Sequence, residues 1–108
     1  MAAFQFTILT AEGKAFDAEV DAVVANGIDG SFGIWANHAP MVSSLEHGPV
    51  KIDIGNETTF YAIGDGLLEI DGRNTVTILA DNYQEADSLS DAKEKAQALF
   101  ERLQADED

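Results

Sequence analysis

Phe16-Asp17-Ala18-Glu19-Val20-Asp21-Ala22-Val23-Val24 is the stretch whose reading decides the fold. Phe16, Ala18, Val20, Ala22 and Val24 alternate with Asp17, Glu19 and Asp21, the period of two that a half-buried strand requires. The run is long for one strand, so it is expected to bend or bulge along the way. Upstream, Phe4, Phe6 and Ile8 alternate with Gln5 and Thr7. Ala11-Glu12-Gly13-Lys14 lies between the two runs and reads as a hairpin turn. Downstream, Asn26-Gly27-Ile28-Asp29-Gly30 turns the chain into Phe32-Gly33-Ile34-Trp35, which is too apolar for a solvated loop. Gly30 and Gly33 supply unusual backbone freedom there. Pro40 fixes its own φ and presses Ala39 towards extended geometry. A short strand is thus held between two shaped turns, with Asn37 and His38 at its far end.

The same alphabet of short strands and turns continues. Met41 to Leu45 reads as a strand stopped by His47-Gly48-Pro49. Val50, Ile52 and Ile54 alternate with Lys51 and Asp53, and Gly55-Asn56 turns the chain. Thr58 to Ile63, Leu67 to Ile70 and Thr75 to Ala80 follow, the last expected as the final strand. About eight to ten short strands at this spacing predict a mainly β fold, an antiparallel β-sandwich or flattened barrel. The chain has no βαβ alternation, so a parallel sheet is not expected.

At Asp81 the period changes. Ala92, Ala96, Leu99 and Leu103 follow helical steps, with Leu89 and Phe100 beside them. Ser88 or Ser90 can cap the start, and Asp91 can pair with Lys95. A helix of roughly 15 residues is marginal alone in water, so its stripe must lie on the β domain or on another chain. Residues 105–108 read as a frayed end. The organisation expected is a β-sandwich over 1–86 and a short C-terminal α-helix within 87–108, without a full helical hairpin.

At 108 residues, 45% of them hydrophobic, the chain is large enough for one real core. The absence of cysteine removes disulfides, thiol catalysis and cysteine metal sites. No run approaches the roughly 18 apolar residues of a membrane span. The N-terminus shows no basic region or secretory apolar segment, so a cytoplasmic or equivalent compartment is expected. Twenty acids against six bases give a net charge of −14. That field repels nucleic acid and anionic lipid and favours a basic partner surface, or else a salty habitat. The tail is denser in charge, with 9 acids and 3 bases after Ala80 against 11 acids and 3 bases before it.

Catalytic chemistry is hard to assemble from these residues. His38 and His47 both sit in turn contexts beside Pro or Gly and read as surface or capping groups. Nothing resembles a nucleophile elbow or a phosphate-binding loop. Gly64-Asp65-Gly66 reads as a bulge or tight corner. Asp17, Glu19 and Asp21 share a strand face but lack the spacing of a calcium loop.

Three blocks together resemble one family. Gly30-Ser31-Phe32-Gly33-Ile34 followed by Asn37-His38-Ala39-Pro40 is similar to the G-x-x-G-I/L-x-x-x-H-x-P signature of the epsilon subunit of F-type ATP synthases, the equivalent of the mitochondrial delta subunit. Ala62-Ile63-Gly64-Asp65-Gly66-Leu67-Leu68-Glu69-Ile70 is similar to the family's S-G-G-x-x-E-V segment. Val76-Thr77-Ile78-Leu79-Ala80-Asp81 resembles its V-T-V-L-A-D strand. The likeness runs from residue 4 to about residue 90.

This resemblance implies a ten-stranded sandwich followed by C-terminal helix, no cofactor and no chemistry of its own. It implies a rotor subunit bound to the gamma subunit and the c-ring, and through them to the alpha/beta hexamer. Its place would be the cytoplasmic face of the bacterial inner membrane, peripheral, within the F1 sector and without lipid insertion. By alignment with the family, Thr10, Asp29, Ser31, His38 and Ser43 are the expected rotor contacts. Gly30, Gly33 and Pro40 would frame the loop and Ile34 would fill the core. Relatives often carry an acid at the position of Ser31, a role Asp29 could take. The family's ATP motif, I/L-D-x-x-R-A, is unmet, since Glu94 and Lys95 follow Asp91 where Arg and Ala belong. Together with a tail too short for a second helix, this implies weak or no inhibition of ATP hydrolysis. The alternative is a free-standing acidic β-sandwich that binds a small ligand or a protein. Trp35 fits either a core position or an apolar partner contact.

Overall fold

The computed structural model describes residues 2–106, and side chains through Arg102. Ten strands precede one helix: β1 (Phe4–Thr10), β2 (Gly13–Val20), β3 (Ala22–Gly27), β4 (Gly30–Trp35), β5 (Met41–Leu45), β6 (Gly48–Ile54), β7 (Glu57–Ile63), β8 (Gly66–Ile70), β9 (Thr75–Ala80), β10 (Tyr83–Ala86) and α1 (Leu89–Asp106). They hydrogen-bond in the order β10-β7-β6-β3-β5-β8-β9-β1-β2, with β4 paired to β3 off that path. The result is a sandwich curled into a flattened, nearly closed barrel, as the strand count predicts.

The inner layer follows from alternation. Phe4, Phe6 and Ile8 of β1 point inward beside Val50 and Ile52 of β6, Leu68 and Ile70 of β8, and Val76 and Ile78 of β9. Burying a side chain of this size is worth about 1.5–3 kcal/mol, so these rows hold the two layers together. Ile34 of β4 joins the same core. Phe16 and Tyr61 close it from the side, their rings meeting edge-on at 5.8 Å between centroids.

Three expectations need correction. The run from Phe16 to Val24 does not present one face throughout. Val20, Ala22, Val23 and Ala25 are buried while Val24 is only half-buried, so the alternation changes phase at Ala22. The cause is a change of partner. The chain leaves β1 after Val20 and joins β4 and β6 from Ala22 onward. Asp21 occupies the corner, its backbone N–H donating to Asp53 O at 2.8 Å and its carboxylate accepting from Gly55 N at 2.6 Å. Second, β1 and β9 run parallel, although every other pairing is antiparallel. A parallel pair needs a long connection, and most of the sandwich lies between these two strands in sequence. Third, Thr75 to Ala80 is not the last strand. β10 pairs with β7 through its backbone while Tyr83, Gln84 and Glu85 stay exposed, so it carries no apolar alternation to be read.

The helix lies on the β domain, against β6, β7 and β10. Ala92, Ala96 and Leu99 are its buried stripe, and Ala62 of β7 meets Ala96 and Leu99. This explains why Tyr61, Ala62 and Ile63 are buried in succession: Tyr61 and Ile63 face the sandwich core while Ala62 faces the helix. Small side chains on both elements allow the close approach. Ser88 is the cap, its Oγ accepting from Asp91 N at 3.1 Å. Asp91 accepts in turn from Asp87 N at 2.9 Å and pairs with Lys95 at 3.0 Å. These two interactions, the backbone bond first, hold the Asp91 carboxyl below its usual range. Lys95 also donates to Glu85 O at 3.0 Å, tying the helix to β10. The Leu103 side chain lies outside the described residues. Of the expected frayed end, residues 105 and 106 are helical and 107 and 108 lie outside the described residues.

Candidate partner-binding surfaces

The signature loop is shaped by contact as well as by conformation. A Cβ at Gly33 would lie 2.5 Å from the Trp35 ring, so only glycine leaves room for the indole above it. Trp35 is 62% exposed, which settles its placement as surface and not core. Gly30 has φ of +119°, a region that disfavours side chains. Pro40 packs over Gly72, and Asn37 N donates to Asn74 Oδ1 at 2.8 Å, fastening the loop to the turn before β9.

The residues expected as contacts divide into three places. Asp29, Ser31 and Ser43 line one groove of about 450 Å³ between the β3–β4 turn and β5, with Ile28 and Val42. Ile28 and Val42 are among the most exposed large apolar side chains of the described residues. The groove, which Ser44 also lines, therefore offers three serines, one carboxylate and an apolar rim, and no basic side chain lines it.

Thr10 lies elsewhere. Its hydroxyl accepts from Glu12 N at 3.2 Å inside the first hairpin, beside a cleft that holds Asp81, Tyr83 and Arg102. His38 bonds through Nδ1 to Ala39 O at 2.8 Å. Its loop is tied to Asn74, whose amide donates to Ala3 O just before β1 begins. Thr10 and His38 are thus at opposite ends of β1 and cannot belong to one compact patch.

A second surface is absent from the sequence reading. Leu67 and Leu79 are paired across β8 and β9 on the outer face and are 44% and 50% exposed. Ser44 of β5 and Leu9 of β1 continue the same cross-strand row. The signal was present in sequence: Leu67-Leu68 and Ile78-Leu79 put apolar residues on both faces, where alternation calls for a polar outer position. Gly66 lets these strands approach closely, since a Cβ there would run into Leu79 O.

His47 also does more than cap a turn. Its ring stacks on Phe100 at 4.0 Å and 15°, and its backbone N–H donates to Asp65 Oδ1 at 2.8 Å. That arrangement explains Gly64-Asp65-Gly66 as a corner whose carboxylate anchors the β5–β6 turn. Of the acids on β2, Asp17 bonds Lys14 and Thr7, which lower its carboxyl pKa, Lys14 most.

Exposed apolar rows and a groove bordered by a carboxylate, carried on a β-sandwich, define a class of β-sandwich proteins with surfaces suited to partner binding. Residues 3–86 match the family described as ATP synthase, Delta/Epsilon chain, beta-sandwich domain, and the chain belongs to that family. It is 37% identical over 103 residues to an ATP synthase epsilon chain of Dehalococcoides mccartyi, covering 91% of this chain and 73% of that one. An ATP synthase epsilon chain of Anoxybacillus flavithermus is 35% identical over 107 residues, with 97% and 79% covered. The fold is similar to a chain in a structure of the Euglena gracilis mitochondrial ATP synthase OSCP/F1/c-ring, at a TM-score of 0.75 and 21% identity. That likeness covers 94% of this chain and 64% of the other. It is also similar to a chain in the central stalk/c-ring of the Tetrahymena thermophila mitochondrial enzyme, at 0.65 and 16%, covering 93% and 89%.

Proposed function

We propose that this chain is a rotor subunit of a rotary F-type ATP synthase, fastening the gamma subunit to the c-ring so that ion-driven rotation reaches the alpha/beta hexamer. It would work peripherally at the cytoplasmic face of a bacterial inner membrane, with no nucleic-acid partner and no direct lipid insertion; no helix among the described residues is long and apolar enough to cross a membrane. The observation that carries the reading is the pair of separate exposed apolar surfaces on a member of this family. Contiguous exposed apolar area marks interaction sites, and a connector needs two. We assign the groove of Asp29, Ser31 and Ser43 to the ring and the Leu67–Leu79 row to gamma. Thr10 and His38 extend these contacts at the two ends of β1.

The helix bears on inhibition. Its stripe of Ala92, Ala96 and Leu99 is already buried on the sandwich, which supports a subunit that couples rotation and suppresses ATP hydrolysis weakly. Adding it to an epsilon-free enzyme is expected to leave hydrolysis largely intact; strong suppression would overturn that part.

The ring assignment has its own test. Exposed charges are screened beyond about 10 Å at 0.1 M salt, so ring association is expected to weaken as salt rises. Asp29→Lys should weaken it already at low salt. A chain that elutes alone from detergent extracts, without gamma and c-ring, would favour the free-standing binding module instead.

A further inference from the structure

We propose that the cleft between α1 and the outer face of β3 and β6 is a binding site for a small amphiphilic anion, an apolar body carrying a carboxylate or phosphate group. This goes beyond the rotor reading and does not depend on it.

The cleft is about 550 Å³, within the range of small-molecule sites, and is walled by α1 on one side and by β3, β6 and Ser31 of β4 on the other. Its lining is anomalous in charge. The chain has 20 acids and 6 bases, yet Lys51, Lys93 and His47 line this cleft and no carboxylate does. The neighbouring spaces differ: the groove by Ser43 is bordered by Asp29, and the cleft by Thr10 sets Glu12 and Asp81 against Arg102.

The placement follows from the fold. Val50 and Ile52 point into the core, so Lys51 between them projects from the opposite face, beneath the helix. Leu89, Lys93 and Ala96 fall at helical spacing on one side of α1 and close the space from above. Apolar walls from Leu89, Ala96 and Pro49 suit a hydrophobic body.

The cations are also under-neutralised. Lys14 and Lys95 are held by carboxylates at 2.9 and 3.0 Å. Lys51 has only Asp53 at 3.9 Å, and Lys93 has no carboxylate partner among the described residues. His47 faces Asp65 at 3.5 Å. An anion in the cleft would gain two lysines that the protein has left almost unpaired, while its body displaces water from an apolar wall.

The test is an NMR titration of the full chain with 1-naphthyl phosphate, 1-naphthoate and the neutral 1-naphthamide. Saturable one-to-one shifts of the Lys51, Lys93, Ala96 and Gln97 amides are expected with both anions. The amide should bind at least ten-fold more weakly, and the tighter anion identifies the head group. Lys51→Glu with Lys93→Glu should weaken anion binding at least ten-fold, whereas Arg73→Glu, away from the cleft, should change it less than two-fold. If the reversed charges disturb folding, as read by circular dichroism, Lys51→Met with Lys93→Met asks the same question without adding acids. Equal binding of all three compounds, no response to either lysine pair, or shifts confined to Leu67 and Leu79 would overturn the proposal.

Discussion

The two outer faces of this sandwich make the same departure from polarity and resolve it differently. On β7, Ala62 turns away from the core and is fully buried, because Ala96 and Leu99 of α1 lie over it. On β8 and β9, Leu67 and Leu79 also turn away from the core, and nothing among the described residues covers them. One face was closed from within by appending a helix. The other was left open, which is the arrangement a subunit needs if its own stability and its attachment are to be separable. The difference teaches that an outward apolar residue is ambiguous by itself, and that its meaning depends on whether the chain supplies the cover.

The comparison can be broken first at the covered face. Leu99→Ala removes a buried side chain and should cost about 2–4 kcal/mol in the free subunit, measured by urea unfolding. A loss under about 0.5 kcal/mol would show that the helix is not seated on β7. On the open face, Leu67→Ser with Leu79→Ser should leave the free subunit within about 0.5 kcal/mol of wild type, as surface changes do. The same pair should weaken gamma association at least ten-fold, or about 1.4 kcal/mol. A stability loss as large as that of Leu99→Ala would mean that the two faces are not different after all.

Smaller effects sharpen how the cover is held. Ser88→Ala should cost about 1 kcal/mol through loss of the cap. Asp91 adds a pH dependence. Its folded pKa is depressed, so its contribution is present above the unfolded value of 3.8 and is lost as pH falls through the lower folded value. Helicity followed by far-UV circular dichroism should therefore decline in acid, and less steeply in Asp91→Asn.

The least effect is on Tyr61, beneath the same helix-bearing sheet. Burial first, and then Glu85, which accepts from its hydroxyl at 3.2 Å, push its pKa up from 10.0 to about 12. Its contribution to stability is full below pH 10 and lost as pH rises towards 12. Ultraviolet titration should show a late phenolate phase that Tyr61→Phe removes.

Much of this fold was legible because burial on one face writes a period of two into the chain. β1, β6 and β9 stand where Phe4 to Ile8, Val50 to Ile54 and Thr75 to Ala80 place them. β10 was illegible because it is held by backbone hydrogen bonds to β7 and buries almost nothing, so no side-chain pattern marks it. The phase change at Ala22 was foreseeable as a bend but not in its effect, since which valine turns inward depends on the strand that comes alongside. Among the site residues, Asp29, Ser31 and Ser43 came together because the β3–β4 turn and β5 are neighbours in space. Thr10 of the first hairpin and His38 of the signature loop are both expected as rotor contacts but sit on opposite ends of β1, a separation that spacing in sequence does not encode.

By itself the sequence determined the class of fold, the glycine and proline frame of the signature loop, the capped helix and the acidity that disfavours phosphate-backbone partners. Those are local or additive properties, written in single residues and short periods. Only the tertiary structure decided that the helix covers β7, that the Trp35 ring sits against Gly33 at the surface, that Leu67 and Leu79 form one bare row, and that Lys51 and Lys93 face a common cleft. Each of these depends on which surfaces meet, and that is fixed by strand order and packing between residues far apart in the chain.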